Sequence, residues 1–225
     1  TGKARLSDLT PATRYRYRVA QESASAEGEF VTAPVAAEPA RVRFLWSGDL
    51  GGGGVWRPIE GGYAIFPAML RHPSDFFLFV GHTVYTDIPC NKPGTVPGAE
   101  FRAFTLPQYR ARHRHNRGDA GLQTLLQRMS VYAIWDDHEV RNDFAGTVEP
   151  LMPVGRRAFL DYWPIAPPEE EPGRLYRRVR WGALLDLFIL DTRQYRSNNA
   201  QPDGPGKTML GAAQRRWLVE GVTAS

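Results

Sequence analysis

The chain is poor in the residues that build several familiar sites. Its 225 residues include a single cysteine, Cys90, which excludes an internal disulfide. Only five histidines occur, at positions 72, 82, 113, 115 and 138. None is spaced His-x-x-x-His and there is no Cys-x-x-Cys, which argues against a Cys/His zinc site; His113-x-His115 is too isolated to make one. No Gly-x-Ser-x-Gly elbow is present, so a serine-nucleophile hydrolase is disfavoured. The glycines from 51 to 54 lack the Gly-x-x-x-x-Gly-Lys-Ser/Thr frame of a nucleotide P-loop. No run approaches the roughly 20 apolar residues of a membrane span, and no signal peptide is visible.

What is present is core material. Apolar residues make up 42%, with six Trp and eleven Phe, enough for one large domain or two smaller ones. Eighteen Pro and 22 Gly imply long connecting loops, and Cys90, inside Pro89-Cys-Asn-Lys-Pro-Gly94, reads as incidental. The net charge of +4 and a pI near 9.4 suit a phosphate-bearing substrate without demanding one. The densest basic run, Arg110-Ala-Arg-His-Arg-His-Asn-Arg117, has no interleaved aromatics beyond Tyr109. It reads as a solvated helix face or loop, and no nucleic-acid partner is expected.

Residues 5 to 33 read as β structure, because Tyr15, Tyr17 and Val19 alternate with Arg14, Arg16 and Arg18. Pro34-Val-Ala-Ala-Glu-Pro-Ala40 reads as a linker. Beyond it, continuous apolar runs at Val42–Ser47, Phe76–Val80, Val131–Trp135 and Leu184–Leu190 suit strands covered on both faces. Helices are predicted near Tyr63–Arg71, Pro107–Arg114, Gly121–Arg128, Val154–Tyr162 and Ala212–Val219. The alternation predicts an α/β layered domain.

Polar clusters follow four of those runs: Ser47-Gly-Asp49, Gly81-His-Thr-Val-Tyr85, Asp136-Asp-His-Glu139 and Asp191-Thr-Arg193. In open α/β sheets ligands bind outside the carboxyl ends of the strands, so neighbouring strands would bring these groups to one edge. The Asp136-Asp-His-Glu139 cluster is the most informative. Helix N-termini favour acidic residues, and capping alone would explain some of it. The central His, followed by Arg141, Asn142 and Asp143, favours a site in which a cation offsets the carboxylate repulsion. Carboxylate, imidazole and phenol donors at one edge suit a two-metal hydrolytic centre.

These segments carry a resemblance. Ile134-Trp-Asp-Asp-His-Glu-Val-Arg-Asn142 resembles a motif of the PhoD-like alkaline phosphatases, a branch of the calcineurin-like metallophosphoesterases. Phe44-Leu-Trp-Ser-Gly-Asp-Leu-Gly51, Asp75–Asp87, Leu190–Arg196 and Gly211–Leu218 resemble further blocks of that family, in order, over roughly residues 41 to 225. Leu9-Thr-Pro-x-Thr-x-Tyr-x-Tyr-x-Val19 resembles the closing strands of a fibronectin type III-like sandwich. The resemblance implies residues 1–34 as the end of a β-sandwich domain, 35–40 as linker, and 41–225 as the N-terminal part of a catalytic αββα sandwich. It implies a phosphomonoesterase or phosphodiesterase acting through metal-bound hydroxide. Asp49 would serve the first metal and Asp137 the second; Tyr85 would bind as phenolate, which points to Fe3+ beside Ca2+. His138 would act as acid or phosphate contact. Arg193 would pair with substrate phosphate, or else form a structural salt bridge with Asp191 or Asp161; for Arg141 a structural role is favoured.

Three departures qualify this. The family places Asp after Gly81, where it bridges both metals; here it is His82, whose neutral ring offers one lone pair on a given edge. His82 is expected to bind a single metal, if any. Some relatives also carry a Cys near Asp49, and this chain does not. The family draws further ligands, including His, from beyond the Trp217-Leu218 helix, whereas no His lies between Asp191 and Ser225. A fragment is expected, inactive alone. The alternative is a non-catalytic extracellular binding relative. The resemblance also implies extracytoplasmic localisation through the twin-arginine route; a monomer acting on a phosphate ester is expected.

Overall fold

The computed structural model describes residues 2–52 and 54–225, so Gly53 of the glycine run and Thr1 lie outside the described residues. Among the described residues, three small sheets are present. The first is an antiparallel hairpin of β1 (Arg14–Gln21) and β2 (Ala24–Val31), in which Tyr15 stacks on Phe30 at 5.7 Å. The tyrosines on alternate positions do form one face, as the period-2 pattern predicts. Ser130 Oγ donates to Val31 O (3.2 Å), fastening the hairpin to the start of the strand Ser130–Ile134.

The second sheet is parallel, in the order β3 (Phe44–Ser47), β4 (Phe76–Val80), β5 (Ser130–Ile134). Parallel neighbours need crossovers, and helices supply them. Between β3 and β4 lies α1 (Ile65–Met69); between β4 and β5 lie α2 (Leu106–Arg117) and α3 (Ala120–Arg128). Phe76, Phe77, Leu78 and Phe79 of the central strand are all buried, each worth about 1.5–3 kcal/mol in removed apolar surface. The outer strand β3 is only half covered, with Trp46 exposed.

Register sets the site. Ser47 pairs with Phe79 and Val80 with Ile134, so the three strands end level and their polar clusters emerge side by side. The helices between them start where local chemistry allows. Thr105 and Gln108 form a capping box ahead of Pro107. Asp119 accepts from Leu122 N (2.8 Å) to cap α3 and from Tyr63 N (2.9 Å) to tie down the loop before α1.

The third sheet pairs β6 (Arg177–Trp181) antiparallel with β7 (Leu185–Ile189), after α4 (Met152–Tyr162) and before α5 (Gly211–Thr223). The apolar run at Leu184–Leu190 is thus a strand, but its partner is a neighbouring hairpin strand rather than the parallel sheet. Arg177 Nη2 donates to Ala133 O (2.8 Å), linking this hairpin to β5. The main core runs from Phe77, Phe79 and Leu125 through Trp135 and Phe159 to Leu175 and Ile189. Among the described residues, no helix is long and apolar enough to cross a membrane.

Candidate active site

The cluster is organised around His82. Gly81 holds φ +103°, and a Cβ there would lie 2.7 Å from Asp136 Cβ, so the ends of β4 and β5 approach this closely only with glycine. His82 and Asp49 both adopt left-handed backbone conformations, at φ 51° and 61°. Side chains pay for that conformation, and such strain concentrates where a site fixes orientation.

The imidazole reaches three carboxylates. Nδ1 lies 2.5 Å from Asp49 Oδ1, while Nε2 lies 2.8 Å from Asp137 Oδ1 and 3.0 Å from Asp136 Oδ2. Hydrogen bonds to Asp136 and Asp137 outweigh partial burial and raise its pKa to about 11. Tyr85 donates to Asp49 Oδ1 (2.7 Å), and burial followed by that bond holds its phenol well above the usual range. The Asp137 carboxyl is pushed up by burial, yet the His82 bond, the Asp143 N–H and the Arg193 charge hold it well below the ordinary carboxylate range.

His138 stands beside this group, its ring 4.3 Å from that of Tyr85 and 5.0 Å from that of His82. Its Nδ1 faces Asp87 Oδ1 at 2.8 Å, and Asn142 N–H donates to Asp87 Oδ2 at 2.7 Å. Burial lowers the His138 pKa, but the Asp87 hydrogen bond and charge win and raise it. Asp87 therefore orients His138, a role that nothing in the local sequence assigns to it.

Arg193 arrives from beyond β7. Asp191, fully buried, accepts from Trp135 Nε1 (3.0 Å) and from Arg193 N (3.1 Å). Gln214 of α5 brackets the same residue, accepting from Asp191 N and donating to Asp191 O, both at 2.8 Å. So held, the Arg193 guanidinium meets Asp136 Oδ1 at 2.5 Å and Asp137 Oδ2 at 3.4 Å. Neither Asp161 nor the Asp191 carboxylate forms its ion pair: Asp161 pairs with Arg110 and Arg157, and from Arg193 the Asp191 carboxylate accepts only the main-chain N–H. Arg193 Nη1 is buried without a hydrogen-bond partner. Arg141 is largely exposed, 3.9 Å from Glu149.

Glu139, fully buried, accepts from Thr83 N (2.5 Å), Thr83 Oγ1 (2.8 Å) and Asp136 N (3.0 Å), clamping the β4 and β5 ends together. From behind, Asn116 Nδ2 donates to Leu50 O and Thr83 O, both at 3.2 Å. Arg112 donates to Tyr85 O, to Ala99 O and, at 2.9 Å, to Ile88 O. The basic run is therefore no solvated face: Arg112, His113 and Asn116 are buried and two of them support the site loops. The reason is that loop carbonyls left without backbone partners need donors, and α2 supplies them.

A donor set of His82, Asp137 and His138 has its ligand atoms within 4.8 Å of one another, with Asp136 adjoining. Imidazole and carboxylate donors of that kind fit a divalent cation. Each His82 nitrogen faces a different carboxylate group, so the ring fits one cation on its Nε2 side and does not bridge a close pair.

The parallel strands of this α/β sheet deliver carboxylates, imidazoles and a phenol to their carboxyl ends, forming a polar site at the sheet edge. Comparison with known proteins sharpens the class. The family model described as PhoD-like phosphatase matches residues 50–225, and the chain belongs to that family. It is 30% identical to alkaline phosphatase D of Bacillus subtilis (strain 168) over an alignment taking in 74% of this chain and 33% of that protein. A solved structure of PhoD superposes with a TM-score of 0.83 at 26% identity, over 96% of this chain and 46% of the other. The chain thus spans about a third of the length of the curated relative.

Proposed function

We propose that this chain contributes to a metal-dependent phosphoester hydrolase, with the sheet-edge cluster as its site. The observation that carries the reading is the convergence of His82, Asp137 and His138 beside Asp49, Asp136 and Tyr85 at the level ends of β3, β4 and β5. His82 Nε2 and Asp137, with Asp136 adjoining, would hold a cation. When bound, it would supply Lewis acidity and lower the pKa of water. The chain's own groups do the rest. Arg193, fixed through Asp191, would offer a phosphoryl oxygen its Nη1, which makes no hydrogen bond and lies 3.9 Å from Asp143 Oδ1; its planar fork suits that contact. His138, held by Asp87, keeps a proton available to a leaving oxygen. The Tyr85 phenol orients Asp49.

A second reading is favoured by one observation: His82 between three carboxylates can serve as the cluster's own cation. On that reading the scaffold binds but does not hydrolyse. Elemental analysis after dialysis without chelator, followed by phosphoester assays, separates the two. The hydrolase reading expects near-stoichiometric metal and turnover abolished by chelator, with Asp137→Asn losing metal and at least about a hundredfold in rate. Absence of both metal and turnover supports the binding relative. His82→Asp is expected to raise metal content; an unchanged stoichiometry would show that the imidazole is no impediment.

A further inference from the structure

The chain from Ser197 to Thr208 is closed at its neck and reaches back toward the site through one side chain. Ser197 N donates to Thr208 O (2.8 Å), Thr208 N donates to Ser197 Oγ (3.0 Å), and Lys207 pairs with Asp203 (2.9 Å). From this loop Asn199 Nδ2 donates to Asp143 O at 2.7 Å, a bond spanning 56 positions. Just ahead of the loop, Gly146 N donates to Arg193 O (2.9 Å). Gly146 has φ +59°, and a Cβ there would collide with Arg196 O. Residues 143–146 and 193–199 are thus fastened at both ends of their contact.

Asp143 is the residue so held. Its backbone is left-handed, φ 56°, a conformation that a side chain keeps only when its surroundings enforce it. Its N–H donates to Asp137 Oδ2 at 2.8 Å, and its Oδ1 lies 3.9 Å from Arg193 Nη1. The other oxygen of Asp137, Oδ1, faces His82 Nε2 (2.8 Å) and accepts from His138 N (2.9 Å). The Asp143 N–H is therefore the short hydrogen bond that orients Oδ2, with Arg193 Nη2 farther off at 3.4 Å.

We propose that Asn199 is a positioning residue: by fixing the Asp143 main chain, it orients the Asp137 carboxylate for the cation. The inference rests on the metal-dependent reading and adds to it a residue that acts only through Asp143. Partners of ligating carboxylates set their orientation, and losing one typically weakens metal binding without touching a ligand. Releasing Asp143 O would let the strained turn relax toward ordinary backbone, and the N–H would swing away from Oδ2.

The test compares Asn199→Ala with Asp203→Asn, a control that opens the Lys207 pair in the same loop. Both side chains are exposed, so both variants are expected to fold. Two quantities are read: exchange of the Asp143 amide hydrogen in cation-free protein by NMR, and Mn2+ affinity by calorimetry. Asn199→Ala is expected to speed the exchange about fivefold or more and to weaken Mn2+ binding about tenfold. Asp203→Asn should leave both as they are. An unchanged exchange rate in Asn199→Ala overturns the proposal, as does faster exchange with unchanged Mn2+ affinity. Equal changes in the control overturn it too, because the loop as a whole would then be responsible. If the wild-type protein takes up no Mn2+, the metal reading has failed, and exchange alone decides whether Asn199 fixes the carboxylate. Acceleration confined to Asn199→Ala then sustains that role, and an unchanged rate sinks it.

Discussion

Two charge-dense regions of this molecule, alike in sequence, are built on opposite principles. In the strand-end cluster, charges face charges: His82 and Arg193 lie among Asp49, Asp136 and Asp137. On α2, the buried cations face neutral groups. Arg112 is surrounded by three carbonyl oxygens and by the rings of Trp56 and Phe101 at 5.3 and 5.8 Å. Arg117 lies 4.5 Å over Trp163 and donates to Tyr162 O at 2.6 Å. The first arrangement leaves opposite charges to be exchanged with a ligand. The second satisfies donors for good, and burial pulls the Arg112 and Arg117 pKa values down without a counter-ion nearby to raise them much. Charge density in a sequence therefore signals a site only when its partners are also charged.

Parallel substitutions test that contrast where the effect is largest. Arg112→Met removes the donor from three carbonyls and is expected to cost about 3 kcal/mol in urea unfolding, with no recovery on adding divalent cation. Arg193→Met leaves Asp136 and Asp137 short of a positive charge, so divalent cation should restore much of the stability it loses. It should nonetheless depress phosphoester turnover about a hundredfold. Equal cation rescue in both variants would erase the distinction between the regions.

Much of this was legible in sequence where apolar runs ended abruptly. β4 matches its expected span, and β3 and β5 fall within two residues of theirs, because buried parallel strands are read from unbroken apolar runs. Their level ends bring Asp49, His82 and Asp137 together as the strand-end argument requires. Strand β6 was not legible: Arg177-Arg-Val-Arg-Trp181 buries fully only Trp181, and its arginines reach Ala133 O and Asp186 instead. Nor was the inward face of α2, since periodicity finds apolar stripes and cannot see carbonyls waiting for a donor. The pairing of Arg193 with Asp136 spans 57 positions and depends on Gln214 and Asp191, which no local pattern announces. The fibronectin-like likeness of the first strands and the αββα layering stay expectations drawn from resemblance.

Glu139 bridges the two principles, being an acid satisfied wholly by neutral donors. Burial raises its pKa, while the Asp136 N–H and the Thr83 hydroxyl and N–H act against that rise. Glu139→Gln turns one acceptor into a donor facing a donor, and is expected to cost about 1–2 kcal/mol. Because Thr83 and Asp136 sit on different strand ends, kcat/KM should fall with it. A variant with wild-type stability and rate would show that the β4 and β5 ends need no clamp.

The effect that is smallest at pH 7 lies deepest in α2. His113 is completely buried, stacked on Tyr162 at 4.9 Å, and its Nε2 has no hydrogen-bond partner. Burial, with a lesser push from the Arg117 charge, lowers its pKa to about 3. An unfolded histidine titrates near 6.5, so between about pH 6.5 and 3 the unfolded chain binds a proton that the native protein refuses. Stability due to this residue is therefore intact above pH 6.5 and declines as pH falls, by about 1.4 kcal/mol per pH unit. His113→Phe keeps the stacked ring and removes the proton. Unfolding free energies should differ little at pH 7, whereas from pH 6 to 4 the variant's slope should be shallower by one proton. Identical slopes would mean that the ring accepts a proton in place, and that this part of α2 holds charge as readily as the strand-end cluster does.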